Sequence, residues 1–208
     1  MSINKWDERY KEAQFAYGKE PNLFFKEWLG KYLPGAILMP AEGEGRNGVY
    51  AAQQGWQVTA FDQSGEGRAK ALLLAQERGV AIDYIVGDLE ELEFAPESFD
   101  AVGLIYAHVD ADKKAAFHHK LDACLKTGGV VLLEAFSKQH VEYNSADPKV
   151  GGPKDPDMLY SIAEVVAGFG NYERLLLVEE EIELSEGKYH NGKGSVVRFV
   201  GIKKCARV

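Results

Sequence analysis

Cysteine is scarce in this chain: Cys124 and Cys205 are the only two in 208 residues, far apart and outside any metal-like or redox-like spacing. That excludes a disulfide framework and leaves two inert thiols in a reducing compartment. Positive charge is in deficit, since 24 lysines and arginines face 32 aspartates and glutamates, for a formal charge of −8. A broad phosphate-backbone surface needs the opposite balance, so the expected partner is a small molecule and not nucleic acid. No apolar run approaches the length of a membrane span, and "MSINKWDERYKEAQF" is charged from Lys5 without an apolar signal core. The expectation is a cytoplasmic protein without a membrane partner, a monomer or weak homodimer. Internal repeats and low-complexity tracts are lacking as well, and the length suits one substantial domain over 1–208.

What the chain does contain is a rhythm of short apolar runs: "AILMP", "WQVTAFD", "IDYIVGD", "FDAVGLIYAH" and "GGVVLLEAF", with helix-like stretches between most of them. The crossovers "RNGVYAAQQG" and "GEGRAKALLLAQERG" end at Gly55 and Gly79, where glycine can close a helix. A third crossover, "DADKKAAFHHKLDACLKTGG", is expected to open at Asp110 or Asp112 and close at Gly128 and Gly129. Beyond Phe136, "SKQHVEYNSADPKVGGPKDPD" has no periodicity and reads as a long surface loop acting as a lid over 137–157. A short helix over about 158–169 then precedes two strand-like runs, "RLLLVEEEIELSEG" and "GSVVRFVGIKK", with the "NG" of Asn191 and Gly192 as the hairpin signal. The fold class is α/β: a doubly wound, mainly parallel seven-stranded sheet with helices on both faces and a C-terminal antiparallel hairpin.

The chemistry concentrates at strand tips. Gly43, Gly45 and Gly48 in "PAEGEGRNG" satisfy G-x-G-x-x-G between a strand and a helix, where free backbone N–H groups favour an anionic group; alone, the match is weak. Asp62 ends the next strand, where a carboxylate can accept from two ribose hydroxyls, although an acid there is also a common N-cap. Gly87, Asp88 and Leu89 follow the third strand, where Asp88 can accept from an exocyclic amine and Leu89 N–H can donate to a base; an Asx turn is the plain alternative. Ligands in open α/β sheets bind outside the carboxyl ends of the strands, so the three tips converge on one crevice.

At this point the chain resembles the class I methyltransferases that use S-adenosylmethionine, in the glycine turn, Asp62, Gly87-Asp88, "FDAVGLIYAH", "LKTGG" and the final hairpin. "WDERYKEAQFAYGKEPNLF", "EGEGRNGVYAA" and "GGPKDPDMLYS" look like the small bacterial group related to tellurite-resistance TehB and, more distantly, to thiopurine methyltransferases. The resemblance implies a Rossmann-like methyltransferase fold with S-adenosylmethionine as cofactor. It further implies a helical cap over 1–34, a cofactor core over 35–136 and a substrate loop and hairpin over 137–208. Trp6, Tyr10 and Tyr17 then fold over the cofactor, beside Arg46, Asn47, Gln63, Ile105 and Tyr106. Met39 stands where such families often place an aspartate, and Glu42 is the substitute candidate for holding the methionine ammonium.

Methyl transfer is an in-line displacement whose rate can come from alignment and water exclusion, so no catalytic triad is required. The candidates near the methyl acceptor are Tyr106 and His108 after the fourth strand, Glu134 and Phe136 in the fifth, and Tyr189, His190 and Lys193 in the hairpin. The acceptor is expected to be a small soft nucleophile: a thiol, or a selenium or tellurium oxyanion held by "YHNGK" and Arg198. No metal is expected, and His118 and His119 read as ordinary mid-helix histidines. Two alternatives use the same glycine turn: an NAD(P)-dependent oxidoreductase, against which the hairpin and "GDLEEL" count, and a non-catalytic nucleotide-binding module, which nothing specific supports.

Overall fold

The computed structural model describes residues 3–205. Its strands are β1 (Ala36–Pro40), β2 (Gln57–Asp62), β3 (Asp83–Val86), β4 (Phe99–Ile105), β5 (Leu125–Phe136), β6 (Tyr172–Glu186) and β7 (His190–Lys203). They form one sheet in the order β3-β2-β1-β4-β5-β7-β6. The first five run parallel, and β7 enters antiparallel beside β5 with β6 as its outer partner. Strand order reverses between β1 and β4, and that switch point is where a parallel sheet opens a crevice at its carboxyl edge.

Alternation along the buried strands sends side chains to two separate cores. Leu38, Val102, Leu104, Val131 and Leu133 face one side, covered by Phe117 and Leu121 of α5 (Lys114–Cys124) and Val165 of α7 (Ile162–Gly168). Ile37, Met39, Ala101, Val130 and Leu132 face the other, under α2 (Leu23–Leu29), α3 (Arg46–Gln53) and α4 (Gly65–Glu77). Fully buried side chains such as Phe25, Leu29 and Phe136 each contribute about 1.5–3 kcal/mol of apolar transfer energy. Polar caps set the helix starts: Asn22 accepts from Phe25 N–H, Ser64 from Gly67 N–H, and Ser161 forms a reciprocal capping box with Glu164.

Several boundaries depart from the sequence reading. Helix α5 starts at Lys114, with Lys113 as an N-cap that offers no side-chain bond, because Lys113 N–H closes a turn onto Asp110 O first. It stops at Cys124, since the fully buried Leu125 is already extended and pairs with Phe99. The segment after β5 is built, not a bare loop: α6 (His140–Ala146) is followed by 3-10 turns at Pro148–Val150 and Pro156–Met158. Each proline stands at the start of its turn behind an aspartate cap, Asp147 or Asp155, so the residues that looked like breakers nucleate structure. His140, Val150 and Leu159 are buried there. The helix expected from 158 begins at Ile162. The hairpin closes at Gly187, Lys188 and Tyr189; Asn191 and Gly192 lie inside β7 opposite Ser185 and Leu184. Gly187, at φ 65 and within 2.6 Å of Ala16 O if given a Cβ, supplies the tight turn that the "NG" pair had suggested. Of the acidic stretch Glu179 to Glu183, Glu180, Glu181 and Glu183 are exposed on β6, the outermost strand, which suits a charge that discourages edge pairing.

Candidate active site

The turn leaving β1 is folded into left-handed backbone at Ala41 (φ 52), Gly43 (φ 59) and Gly45 (φ 85). A Cβ on Gly45 would lie 2.5 Å from the Ala71 methyl of α4, so this glycine is required for close packing as well as for its φ. Asp62 at the tip of β2 fixes the turn: its Oδ2 accepts from Gly43 N–H at 3.0 Å and its Oδ1 from Ser64 N–H at 2.9 Å. Glu42 Oε1 accepts from Gly48 N–H at 2.6 Å. Burial of both carboxylates favours their protonated forms, pushing Glu42 up to about 7 and Asp62 up to about 6 against those hydrogen bonds.

Above these strand tips lies a cleft of about 1050 Å³. Its near end is lined by Glu42, Gly43, Asn47, Asp62 and Gln63, then by Gly87, Asp88 and Leu89 of the β3 tip. Trp6 and Tyr10 of α1 (Ile3–Tyr10) roof it, their rings stacked with centroids 5.7 Å apart. Every residue proposed for the cofactor lines this one cleft except Gly45, which lies behind the turn against α4. Asp88 does form the Asx turn, accepting from Glu90 N–H at 3.1 Å, and also accepts from Gln63. Arg46, at the start of α3, is not a solvated cation: it is buried and paired with Glu186 at 2.9 Å.

The far end is walled by rings. Ile105 and Tyr106 end β4, and the Tyr106 ring sits 4.6 Å from both Phe136 and His190. Tyr17 lies 4.4 Å from His190, and Tyr189 closes the wall under the guanidinium of Arg9. Tyr106 is held at φ 54, and its hydroxyl is the buried side-chain polar atom left without a hydrogen-bond partner among the described residues. His108 has both ring nitrogens occupied, Nδ1 donating to Met158 O and Nε2 accepting from Phe136 N–H. Burial holds its pKa down to about 3, so it stays neutral. Three residues expected beside the acceptor lie elsewhere: Glu134 is fully buried outside the cleft lining, accepting from Asn22 Nδ2 and Arg198 Nε at 2.6 Å each. Lys193 is exposed on β7 opposite Glu183 and does not line the cleft, because strand alternation turns it outward. Arg198 is bound to Glu134 and Glu180, each at 2.6 Å, and lies over Phe24 outside the cleft.

Residues 37–129, from β1 through the turn that opens β5, match the model of a methyltransferase domain. That stretch is a methyltransferase domain. Solved structures of the same fold include a protein studied for the conversion of a disulfide bond into a thioacetal group during echinomycin biosynthesis (17% identity, TM-score 0.78, 99% of this chain and 93% of that one). TehB from Haemophilus influenzae is similar at 16% identity and TM-score 0.68, over 86% of this chain but 61% of its own. A SAM-dependent methyltransferase from Aquifex aeolicus is similar at 14% identity and TM-score 0.62, over 97% and 99%. At such identities the likeness is one of fold. No protein of curated function matches the chain.

The cofactor of this methyltransferase is S-adenosylmethionine. The near end suits it: Asp62 has used two of about four carboxylate lone-pair positions, leaving room for hydroxyl donors, and acids and ring faces suit a ligand with an ammonium and a sulfonium. The methyltransferase has no described helix long and apolar enough to cross a membrane, and no described group of three or more acidic, histidine or cysteine side chains placed to hold a metal. Sequence reasoning missed Asn22, Glu44, Glu186 and His140. Asn22 donates to Glu134 and Glu186, Glu44 accepts from Ala16 N–H and Lys70, and His140 bridges Gly151 O and Ser195 N–H. Glu44 is only the unspecified position between Gly43 and Gly45, and each of the four is significant only through partners distant in sequence.

Proposed function

We propose that the enzyme transfers a methyl group to a soft organic nucleophile docked among the rings at the far end of the cleft. The observation that carries this reading is the unpartnered Tyr106 hydroxyl, buried beside His190 and Phe136 where an acceptor must sit. Burial and the nearby Glu134 and Glu186 charges keep that phenol well above its usual pKa, so it stays protonated, an O–H donor that the wall seals until an acceptor displaces its neighbours. Of the cations near the rings, Lys193 is turned outside, Arg198 and Arg46 are in ion pairs, and Arg9 is engaged by Tyr17 and Tyr189. The cleft is at the upper end of the roughly 300–1,000 Å³ typical of small-molecule sites, enough for a cofactor and an organic partner. The likeness to the protein of the thioacetal conversion, a reaction at sulfur, agrees with this reading.

In this proposal Asp62 takes the ribose, Glu42 the methionine ammonium, and Gln63, Asp88 and Leu89 the base, with Trp6, Tyr10 and Tyr17 as the roof. The bound cofactor supplies an electrophilic methyl on a positively charged sulfur. The residues supply a dry, aligned chamber: Tyr106 O–H orients the acceptor, and His108 braces Phe136 and Met158. The test is thermal stabilisation by S-adenosylhomocysteine but not NADH, followed by mass detection of methylated products from thiols, thioethers, selenite and tellurite. Methylation of the oxyanions with no organic sulfur product would overturn it.

A further inference from the structure

Glu186 is in the β6–β7 hairpin, 140 residues from Arg46, yet its carboxylate gathers three donors from three elements. Oε2 accepts from Arg46 Nη2 at 2.9 Å and pairs with His190 Nδ1 at 3.1 Å, while Oε1 accepts from Asn22 Nδ2 at 3.0 Å. Burial alone would raise its pKa; the His190 hydrogen bond and the Arg46 charge outweigh that and hold it near about 2, so it is ionised and can only accept. His190 must then carry its proton on Nδ1, which puts the lone pair on Nε2. Nε2 makes no hydrogen bond among the described residues and is not one of the sealed polar atoms, while the ring lines the cleft. Its lone pair is therefore left for a ligand in the cleft, on a ring whose centroid is 4.6 Å from that of Tyr106.

Resting on the methyl-transfer reading above, we propose that His190 is a catalytic base oriented by Glu186, and that the acceptor class is the thiols, which arrive protonated and must lose that proton. The S–H bond breaks, its electron pair stays on sulfur, and the proton forms an N–H bond at Nε2 before passing to solvent after the product leaves. An un-ionised thiol, with a pKa of about 8.5, is a poor nucleophile near pH 7, whereas a thioether or a metalloid oxyanion brings its lone pair ready and gives a base nothing to do. The groups facing His190 are consistent with a neutral resting imidazole. Burial lowers its pKa, as do Arg46 and Arg9, against the pull of Glu186; the remaining neighbours are Tyr17, Tyr106 and Phe136, with His108 and His140 beyond. The imidazolium formed by proton transfer is then stabilised by the carboxylate already in contact with it. Arg46 and Asn22 are the outer members of this arrangement, keeping Glu186 charged and aimed.

Replacing Glu186 by glutamine tests the assignment, because no amide orientation satisfies all three donors: an NH2 faces either Asn22 or the Arg46–His190 pair. Turnover of an alkane thiol by Glu186→Gln at pH 7 is expected to fall by roughly 100-fold, as for loss of a general base, while an electron-poor aryl thiol that is already a thiolate changes by no more than about threefold. The kcat profile for the alkane thiol, flat from pH 7 in the unmodified enzyme, is expected to rise with pH in the variant until the thiol ionises itself. Independently of activity, nitrogen NMR of the S-adenosylhomocysteine complex should show His190 protonated on Nδ1 in the unmodified enzyme and redistributed in Glu186→Gln. His190→Gln, which leaves Glu186 and its other donors in place, should repeat the selective loss with S-adenosylhomocysteine affinity retained. Equal losses on both thiols, an unchanged pH profile, an Nε2-protonated His190, or an unmodified enzyme that methylates only thioethers would overturn the assignment. Failure of the unmodified enzyme to bind S-adenosylhomocysteine would instead overturn the underlying methyl-transfer reading.

Discussion

The two ends of the cleft are made in different ways. The near end is backbone held by carboxylates: left-handed turns at Ala41, Gly43 and Gly45, clamped by Asp62 and Glu42 within one strand-helix-strand unit. The far end is side chains held by one another, with Phe136 as a hub touching Tyr106, His108, His140 and His190 from three different segments. A ligand common to a whole family suits the first kind of construction, because its geometry is written locally and tolerates change elsewhere. A particular acceptor suits the second, where a single ring substitution reshapes the wall without disturbing the strand tips.

The sharpest way to separate the ends is Asp62→Ala. Loss of the carboxylate that holds Gly43 and Ser64 N–H should weaken S-adenosylhomocysteine binding by about 1.5–3 kcal/mol in calorimetry, with the far-ultraviolet circular dichroism unchanged. Unchanged affinity would remove Asp62 from the cofactor site.

Acid should split the ends next. His108 and His140 are held neutral by burial, at about 3 and about 4, below the unfolded value near 6.5. Their depressed values mean that stability is intact above 6.5 and lost as pH falls towards the folded pKa, by about 1 kcal/mol per imidazole one unit below 6.5. Glu42 and Asp62 have raised values, so their contribution is present below the unfolded carboxylate range and lost as pH rises through about 7 and about 6. Amide protection factors, which correct for the slower intrinsic exchange in acid, should therefore fall in residues 137–160 at pH 5.5 relative to pH 7.5 while those of the turn at 41–48 hold. A uniform fall would erase the distinction.

Tyr106→Phe should have a smaller effect. It removes a buried hydroxyl with no partner, so thermal stability should stay level or rise by about 1 kcal/mol, while kcat falls by roughly tenfold and S-adenosylhomocysteine affinity does not move. A drop in stability would mean that the hydroxyl has a partner after all. Smallest of all is Lys193→Ala, expected to leave kcat and KM within about twofold because the residue lies on the exposed side of β7.

The contrast between the ends also explains what could be read from the residues alone. Gly43, Asp62 and Asp88 sit at successive strand tips within a short stretch of chain, so periodicity and turn chemistry were enough to bring them together. The seven-stranded sheet and its terminal hairpin were legible for the same reason, each strand being a local apolar run. Glu186 was not: its meaning depends on Arg46, 140 residues away, and that of Asn22 on Glu134, 112 residues away. Lys193 failed as an acceptor ligand because its place on β7 depends on register: the turn closed at Gly187 to Tyr189, leaving Asn191 and Gly192 paired with β6. The prolines at 148 and 156 misled in another way, since a residue that ends long helices also begins short ones.

The hairpin turn is clasped by the opposite end of the chain: Lys188 N–H donates to Ala16 O, the Lys188 ammonium pairs with Glu12, and Arg9 lies over Tyr189. Lys188 follows Glu12 by 176 residues, so during synthesis the roof is made long before the turn that holds it down, and the chamber shuts only once that turn has been delivered. Until β7 follows, the turn has no strand to close against and the wall of rings lacks His190.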